Sequence, residues 1–263
     1  MGERGLTEGE RERYRRQWVL PEVGEAGQRR LKAGSALIVG VGGLGSPIAL
    51  YLAAAGVGRI GLVDADTVDV ANLQRQVLYT TEDLGRGKLR IAHDRLCALN
   101  PHVEIELHEE RFDGDSAQRL AHRYDVLVDG TDSLRTRCTL SDASVALRIP
   151  YVYGAVAGFV GQASTFVPGR GPCYRCVFPQ SPPGEHAPGS QAMGVLGTVA
   201  GVIGCIEATE TIKLLTAIGS PLIGRLLLVD ALTLRFEEVR IERQPTCRSC
   251  GEASEARAKG GAY

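Results

Sequence analysis

The stretch Ala36-Leu-Ile-Val-Gly-Val-Gly-Gly-Leu-Gly45 narrows the choice of fold more than any other part of the chain. Four apolar residues run into glycines at positions 40, 42 and 45, and the sequence then turns helical at Ser46-Pro-Ile-Ala-Leu50. A strand, a G-x-G-x-x-G loop and a helix bring bare backbone close to a phosphate, with the helix N-terminus facing the negative charge. Pro47 suits the start of such a helix, where a missing N–H costs little. The pattern predicts a parallel α/β sheet that binds a nucleotide. It does not say which nucleotide.

Charge removes some partners. With 30 Lys and Arg against 31 Asp and Glu, the chain lacks the basic excess that marks a nucleic-acid binder. The polar first 17 residues are unlike a signal peptide. The longest uncharged apolar run, roughly 193–206, is short and glycine-rich beside the ~20 residues of a membrane span. The expectation is a soluble, cytoplasmic protein, no nucleic acid and no membrane, so the seven cysteines call for a reading other than a disulfide framework.

The α/β pattern continues to about Pro150. Thr7 and Glu10 have capping-box spacing, predicting a charged helix to about Gln17, and an amphipathic helix around 28–32 leads into the first strand. On that helix, Arg13-Tyr-Arg-Arg-Gln17 reads by itself as a solvated face. Asp64 ends the second strand 24 residues beyond Gly40, near where a dinucleotide fold places its ribose-binding acid; Asp there is also common as a simple turn former, but the spacing favours the ribose reading. Lys88 opens a helix that ends near Leu99, where its charge opposes the helix dipole. A bound polyanion would offset that conflict, whereas a solvent-facing lysine would simply bear it. Asp129-Gly-Thr-Asp132 ends the fourth strand, where open α/β sheets bind ligands. It reads equally as a carboxylate pair for a hard cation or as a turn capping the helix from Ser133.

Beyond Pro150 the pattern changes. Strands are expected at 151–156, 226–230 and 234–241, with a glycine-punctuated hairpin at 158–168 and a polar loop at 184–191. A long, buried helix is expected over 195–217, and a polar tail closes the chain. Cys173-Tyr-Arg-Cys176 and Cys247-Arg-Ser-Cys250 are two C-x-x-C turns, and two such turns complete a tetrahedral, closed zinc site. Cys97, Cys138 and Cys205 fall in apolar helical patterns and read as small core residues.

Taken in order, these segments resemble the ThiF/MoeB/HesA family, bacterial relatives of ubiquitin-activating enzymes. They are Arg13–Gln17, Gly40–Gly45, Asp64-Ala-Asp66, Asn72-Leu-Gln-Arg-Gln76, Lys88, Asp129–Asp132 and the cysteine pairs. The resemblance covers roughly residues 10–250. It implies a Rossmann-like, mostly parallel sheet with helices on both faces, extended by antiparallel strands and a structural zinc site. One compound domain is expected, comprising an N-terminal arm (1–32), an ATP-binding half (33–150), a carrier-binding and dimer extension (151–250) and a disordered tail (251–263).

The implied activity is adenylation of the C-terminal Gly-Gly carboxylate of a small β-grasp sulfur-carrier protein by a homodimer using ATP and magnesium. The products of such pathways include molybdenum cofactor and thiamine. By motif, Gly40, Gly42, Gly43, Leu44 and Gly45 would cradle ATP and Asp64 would bind its ribose. Asn72, Arg75 and Lys88 would contact the phosphates, Asp132 would hold magnesium, and Arg16 would reach the partner subunit's site. Two positions depart from the family. Ser190 stands where many relatives carry a loop cysteine that links covalently to the carrier, and Ser133 replaces an asparagine. No sulfurtransferase domain follows, so a separate protein would donate the sulfur. An NAD-dependent oxidoreductase shares the glycine loop and Asp64 but leaves Arg75, Lys88, Asp132 and the cysteines unexplained. A non-catalytic ATP-binding scaffold, or the same chemistry on a peptide or metabolite, are the other readings.

Overall fold

The computed structural model describes residues 5–179 and 194–251. Helices α1 (Glu8–Arg13), α2 (Arg15–Trp18) and α3 (Gly24–Ala33) precede β1 (Ser35–Val39) and α4 (Gly45–Ala55). Next come β2 (Arg59–Val63), α5 (Lys88–Leu99), β3 (Glu104–His108), α6 (Gly114–Leu120), β4 (Val126–Asp129) and α7 (Leu134–Leu147). The chain continues through β5 (Tyr151–Ala157), β6 (Val160–Phe166), α8 (Tyr174–Val177), α9 (Gly197–Thr216), β7 (Arg225–Asp230) and β8 (Arg235–Arg240).

All eight strands form one sheet in the order β3-β2-β1-β4-β5-β6-β7-β8. The first five run parallel and the last three antiparallel. The hairpin after β5 therefore continues the sheet. Neighbours β1 and β4 diverge in the direction of their crossovers, so the crevice at their C-terminal ends is the switch point where such sheets take ligands. The central strands β1, β4 and β5 are covered on both faces, whereas β8 is exposed along its whole length. One core joins β1, β2 and β4 to α4, α5 and α9, and the other packs Leu37, Leu127, Tyr151 and Tyr153 beneath α6 and α7. No helix among the described residues is long and apolar enough to cross a membrane.

Three sequence expectations change. The N-terminal helix has its Thr7–Glu10 capping box but breaks at Tyr14, whose hydroxyl accepts a hydrogen bond from Asn100 at 2.7 Å. The break anchors the arm beneath α4, since Tyr14 packs directly against Gly56. Helix α9 is buried on one face only: Val202 and Thr209 are exposed and Cys205 is half-buried. Cys97 is likewise half-buried, which leaves Cys138 as the one core cysteine of those three. Two expectations, the 184–191 loop with Ser190 and the tail from 252, lie outside the described residues.

Candidate nucleotide site and cysteine cluster

The glycine loop follows β1, and its shape depends on three glycines that meet. Gly40 has φ +89°, and Cβ atoms built at Gly45 or Gly130 would each lie 2.0 Å from the Gly40 carbonyl oxygen. Only bare Cα atoms allow the turn after β1, the start of α4 and the turn after β4 to touch. Gly42 and Gly43 answer to another segment. A side chain at Gly42 would face Gln76 at 3.4 Å, and one at Gly43 would face Arg75 Cγ at 3.3 Å and Ala200 of α9 at 3.6 Å. Leu44 is buried and immediately precedes α4.

Asp64 and Tyr79 grip the loop from two sides. Asp64 accepts from the Val41 N–H and from the Asp66 N–H, both at 2.8 Å, and the Tyr79 hydroxyl donates to the Val41 carbonyl at 2.8 Å. Burial, with Asp64 nearby, pushes the Tyr79 hydroxyl well up, so it stays a donor. Each Asp64 oxygen thus retains acceptor capacity for a ribose hydroxyl. Asn72 ends a short 3-10 turn capped by Asp69, and its side-chain oxygen accepts from the Arg75 guanidinium at 2.8 Å. Gln76 is buried, and its Oε1 has no partner among the described residues.

Lys88 is not solvent-facing. It is 4 % exposed, and its ammonium lies 3.0 Å from the carboxylate of Asp66, which is 70 % exposed. A bridge between Thr67 and Gly87 and the Lys88 N–H bond to the Asp66 carbonyl pin the two residues side by side.

The Asp129-Gly-Thr-Asp132 turn divides its two acids. Asp129 is fully buried, paired with Arg137 at 3.2 Å and hydrogen-bonded by Tyr151 at 2.7 Å and by the Thr131 N–H at 3.0 Å. It organises the turn and is taken up entirely by doing so. Asp132 is exposed, and Ser133 caps α7 by accepting from the Thr136 N–H at 3.2 Å. The turn reading holds, with Ser133 as the cap and Asp129 bracing the turn. A hard cation held with the help of phosphates needs only one or two carboxylates, so Asp132 suits it and Asp129 does not. Arg16 is exposed on α2. The start of α9 closes the site, because a side chain at Gly197 would collide with the Gln74 carbonyl at 2.3 Å.

The four cysteines come together at the other end of the sheet, since β6 runs away from the glycine loop before Cys173. All four sulfurs lie within 4.8 Å of one another, with separations of 3.8, 3.6 and 3.4 Å for the pairs 173–176, 173–247 and 176–250. Tetrahedral zinc with Zn–S near 2.3 Å has an edge of about 3.8 Å, so the cluster fits a structural zinc. The hydrogen bond between Cys173 and Cys250 holds the Cys250 thiol below and the Cys173 thiol above the ordinary range. A cleft of about 610 Å³ nearby, lined by Arg170, Arg225, Arg240 and Arg243 together with Glu238 and Glu242, is remote from the glycine loop.

Comparison with known proteins places the fold in a family. The chain is 47 % identical over 251 residues to a sulfur carrier protein adenylyltransferase of Thermus thermophilus, covering 94 % of this chain and 93 % of that one. It is 44 % identical to the probable adenylyltransferase/sulfurtransferase MoeZ of Mycobacterium tuberculosis and to the maize adenylyltransferase and sulfurtransferase MOCS3-1, covering 92 % of this chain in each case. It spans 62 % and 52 % of the length of those two relatives. Among solved structures, E. coli MccB bound to a MccA variant superposes with a TM-score of 0.82 at 22 % identity, over 95 % of this chain and 77 % of that one; this is a likeness of fold. The ThiF family model matches residues 14–249, so the chain belongs to the ThiF family.

Proposed function

We propose that this chain is an enzyme, a nucleotidyltransferase that uses ATP and magnesium to adenylate the C-terminal Gly-Gly carboxylate of a small β-grasp sulfur-carrier protein. One observation carries the reading. The glycine loop, the Asn72–Arg75 pair, buried Lys88 and exposed Asp132 all occupy the C-terminal edge of the parallel strands. A dinucleotide needs the loop and Asp64, but a triphosphate also makes use of Arg75 and Lys88. The names of the Thermus, mycobacterial and maize relatives point the same way.

In this reaction a carboxylate oxygen attacks the α-phosphorus, a new P–O bond forms, and the bond to the β-phosphate breaks with pyrophosphate leaving. The nucleophile is already ionised at neutral pH, so no general base is required. What the protein supplies is in-line positioning and positive charge on the phosphate oxygens. Loop N–H groups hold the phosphates, Arg75 and Lys88 carry the charge, and Asp64 fixes the ribose. Magnesium, held through Asp132, would add charge where the pyrophosphate departs. Arg16 would complete the site of a partner subunit in a homodimer, and a separate protein would donate sulfur to the activated carrier. With Ser190 in place of a loop cysteine, the product is the free acyl adenylate.

An exposed apolar surface supports docking of the carrier at this edge. The β5–β6 and β7–β8 turns lie at the same end of the sheet as the glycine loop, because Val160 pairs with both Ala157 and Asp230. Phe159, Val160, Leu232, Leu234 and Phe236 are exposed there, an apolar rim suited to a β-grasp sheet.

The test is pyrophosphate exchange into ATP in the presence of a carrier ending in Gly-Gly. Arg75→Ala and Asp132→Ala should each lower exchange by about 10²-fold or more with the fold retained. Unimpaired exchange in both variants would sink the site assignment.

A further inference from the structure

Lys88 and Asp66 form an ion pair whose members are unequally fixed. The lysine is 4 % exposed, on the first residue of α5, where the helix dipole disfavours its charge. A buried ammonium in that position needs an anion. The anion at 3.0 Å is a carboxylate 70 % exposed to water, so Lys88 is held by the core and Asp66 by little more than Lys88 itself. The Asp66 backbone is fixed by its N–H bond to Asp64 and by accepting from the Lys88 N–H, so only the side chain is free to turn.

We propose that Asp66 is a positioning residue that competes with the nucleotide's phosphates for Lys88. It holds the ammonium in place at the crevice, then yields it to a phosphate oxygen by rotating outward. This rests on the nucleotide reading above. An incoming polyphosphate and the Asp66 carboxylate repel each other around a single cation, and the exposed partner is the one able to leave. Asp66 thus lowers affinity for the nucleotide while it protects the buried charge.

The measurement is calorimetric binding of ATP in EDTA, so that no metal ion can recruit Asp66. Asp66→Asn should tighten ATP binding by about two- to fivefold. Asp69→Asn, which removes the same charge from the same loop and retains a capping side chain, should leave affinity unchanged. Lys88→Met should weaken binding, and adding Asp66→Asn in that background should produce no tightening. As a second readout, pyrophosphate should raise the melting temperature of Asp66→Asn more than that of the wild type. Unchanged or weaker binding by Asp66→Asn overturns the proposal. So does equal tightening with and without Lys88, which would be general electrostatics. A wild-type protein that binds no ATP would instead overturn the nucleotide reading itself.

Discussion

Gly43 and Gly45 stand two residues apart in one loop, yet alanine should do different things at each. At Gly45 the new methyl meets the Gly40 carbonyl at 2.0 Å, a backbone atom that cannot retreat alone. Gly45→Ala should cost about 2–3 kcal/mol or more, read as a fall in the urea midpoint. At Gly43 the methyl meets Arg75 Cγ at 3.3 Å, a flexible side chain. Gly43→Ala should fold normally and raise KM for ATP severalfold by pushing Arg75 aside. Glu207 of α9 is the other telling residue. It is fully buried beside the Gly154 backbone, and neither oxygen has a partner among the described residues. Burial, reinforced by Asp129, raises its pKa well above that of an ordinary glutamate. An acid whose folded pKa is raised contributes fully below its unfolded value near 4.3, and that contribution is lost as pH rises towards the folded pKa, at about 1.4 kcal/mol per unit. Glu207→Gln should therefore stabilise the protein at pH 8 by about 1–3 kcal/mol and lose that advantage near pH 4, measured by urea unfolding at both. Such details were closed to the sequence. Lys88 was legible as an electrostatic conflict, but its resolution by Asp66 depends on a bridge between loops. The two acids of Asp129-Gly-Thr-Asp132 look alike in one dimension, and only the Arg137 and Tyr151 contacts separate them.

Among the elements, those with local determinants were legible. The glycine loop, the Thr7 capping box and the alternation of strands and helices carry their own chemistry, and each lies within a few residues of its expected place. Helix α9 was misjudged because its uncharged first half suggests burial all round, whereas its buried charges, Glu207 and Glu210, lie in the second half. Glu210 is used, accepting from Thr165 and from the Leu222 N–H at 2.6 Å each, and so ties the helix to the connection before β7. The cysteine turns are the clearest case of pattern becoming structure, since two short spacings separated by most of the second half converge on one cluster. Zinc analysis after acid denaturation should find about one ion per chain. Stripping the metal with a chelator should raise hydrogen exchange around 244–251 and leave β1–β4 protected, because the cluster fastens the end of the chain to α8 and touches neither the core strands nor the nucleotide edge.

At the scale of the whole molecule, the sheet separates two jobs. Its C-terminal edge gathers the residues proposed to bind phosphate and the apolar rim, while its opposite end holds the cysteine cluster. Leu234→Glu or Phe236→Glu should therefore raise KM for the carrier about tenfold or more in pyrophosphate exchange while leaving KM for ATP unchanged. The parallel half of this plan was legible because crossovers enforce alternation. That antiparallel strands would extend the sheet came from the family resemblance, since antiparallel neighbours leave no mark on local sequence; the order β5-β6-β7-β8 came only with the structure. The meeting of Gly40, Gly45 and Gly130 reaches furthest across this plan. One carbonyl wedged between two bare Cα atoms couples the glycine loop after β1 to the turn after β4 that holds Asp132, with no side chain intervening. Neither turn can shift without moving the other, so the two sides of the crevice proposed to take anion and cation are held together. Their separation is set by the polypeptide itself, and a metal–nucleotide complex would meet a gauge already cut to its length.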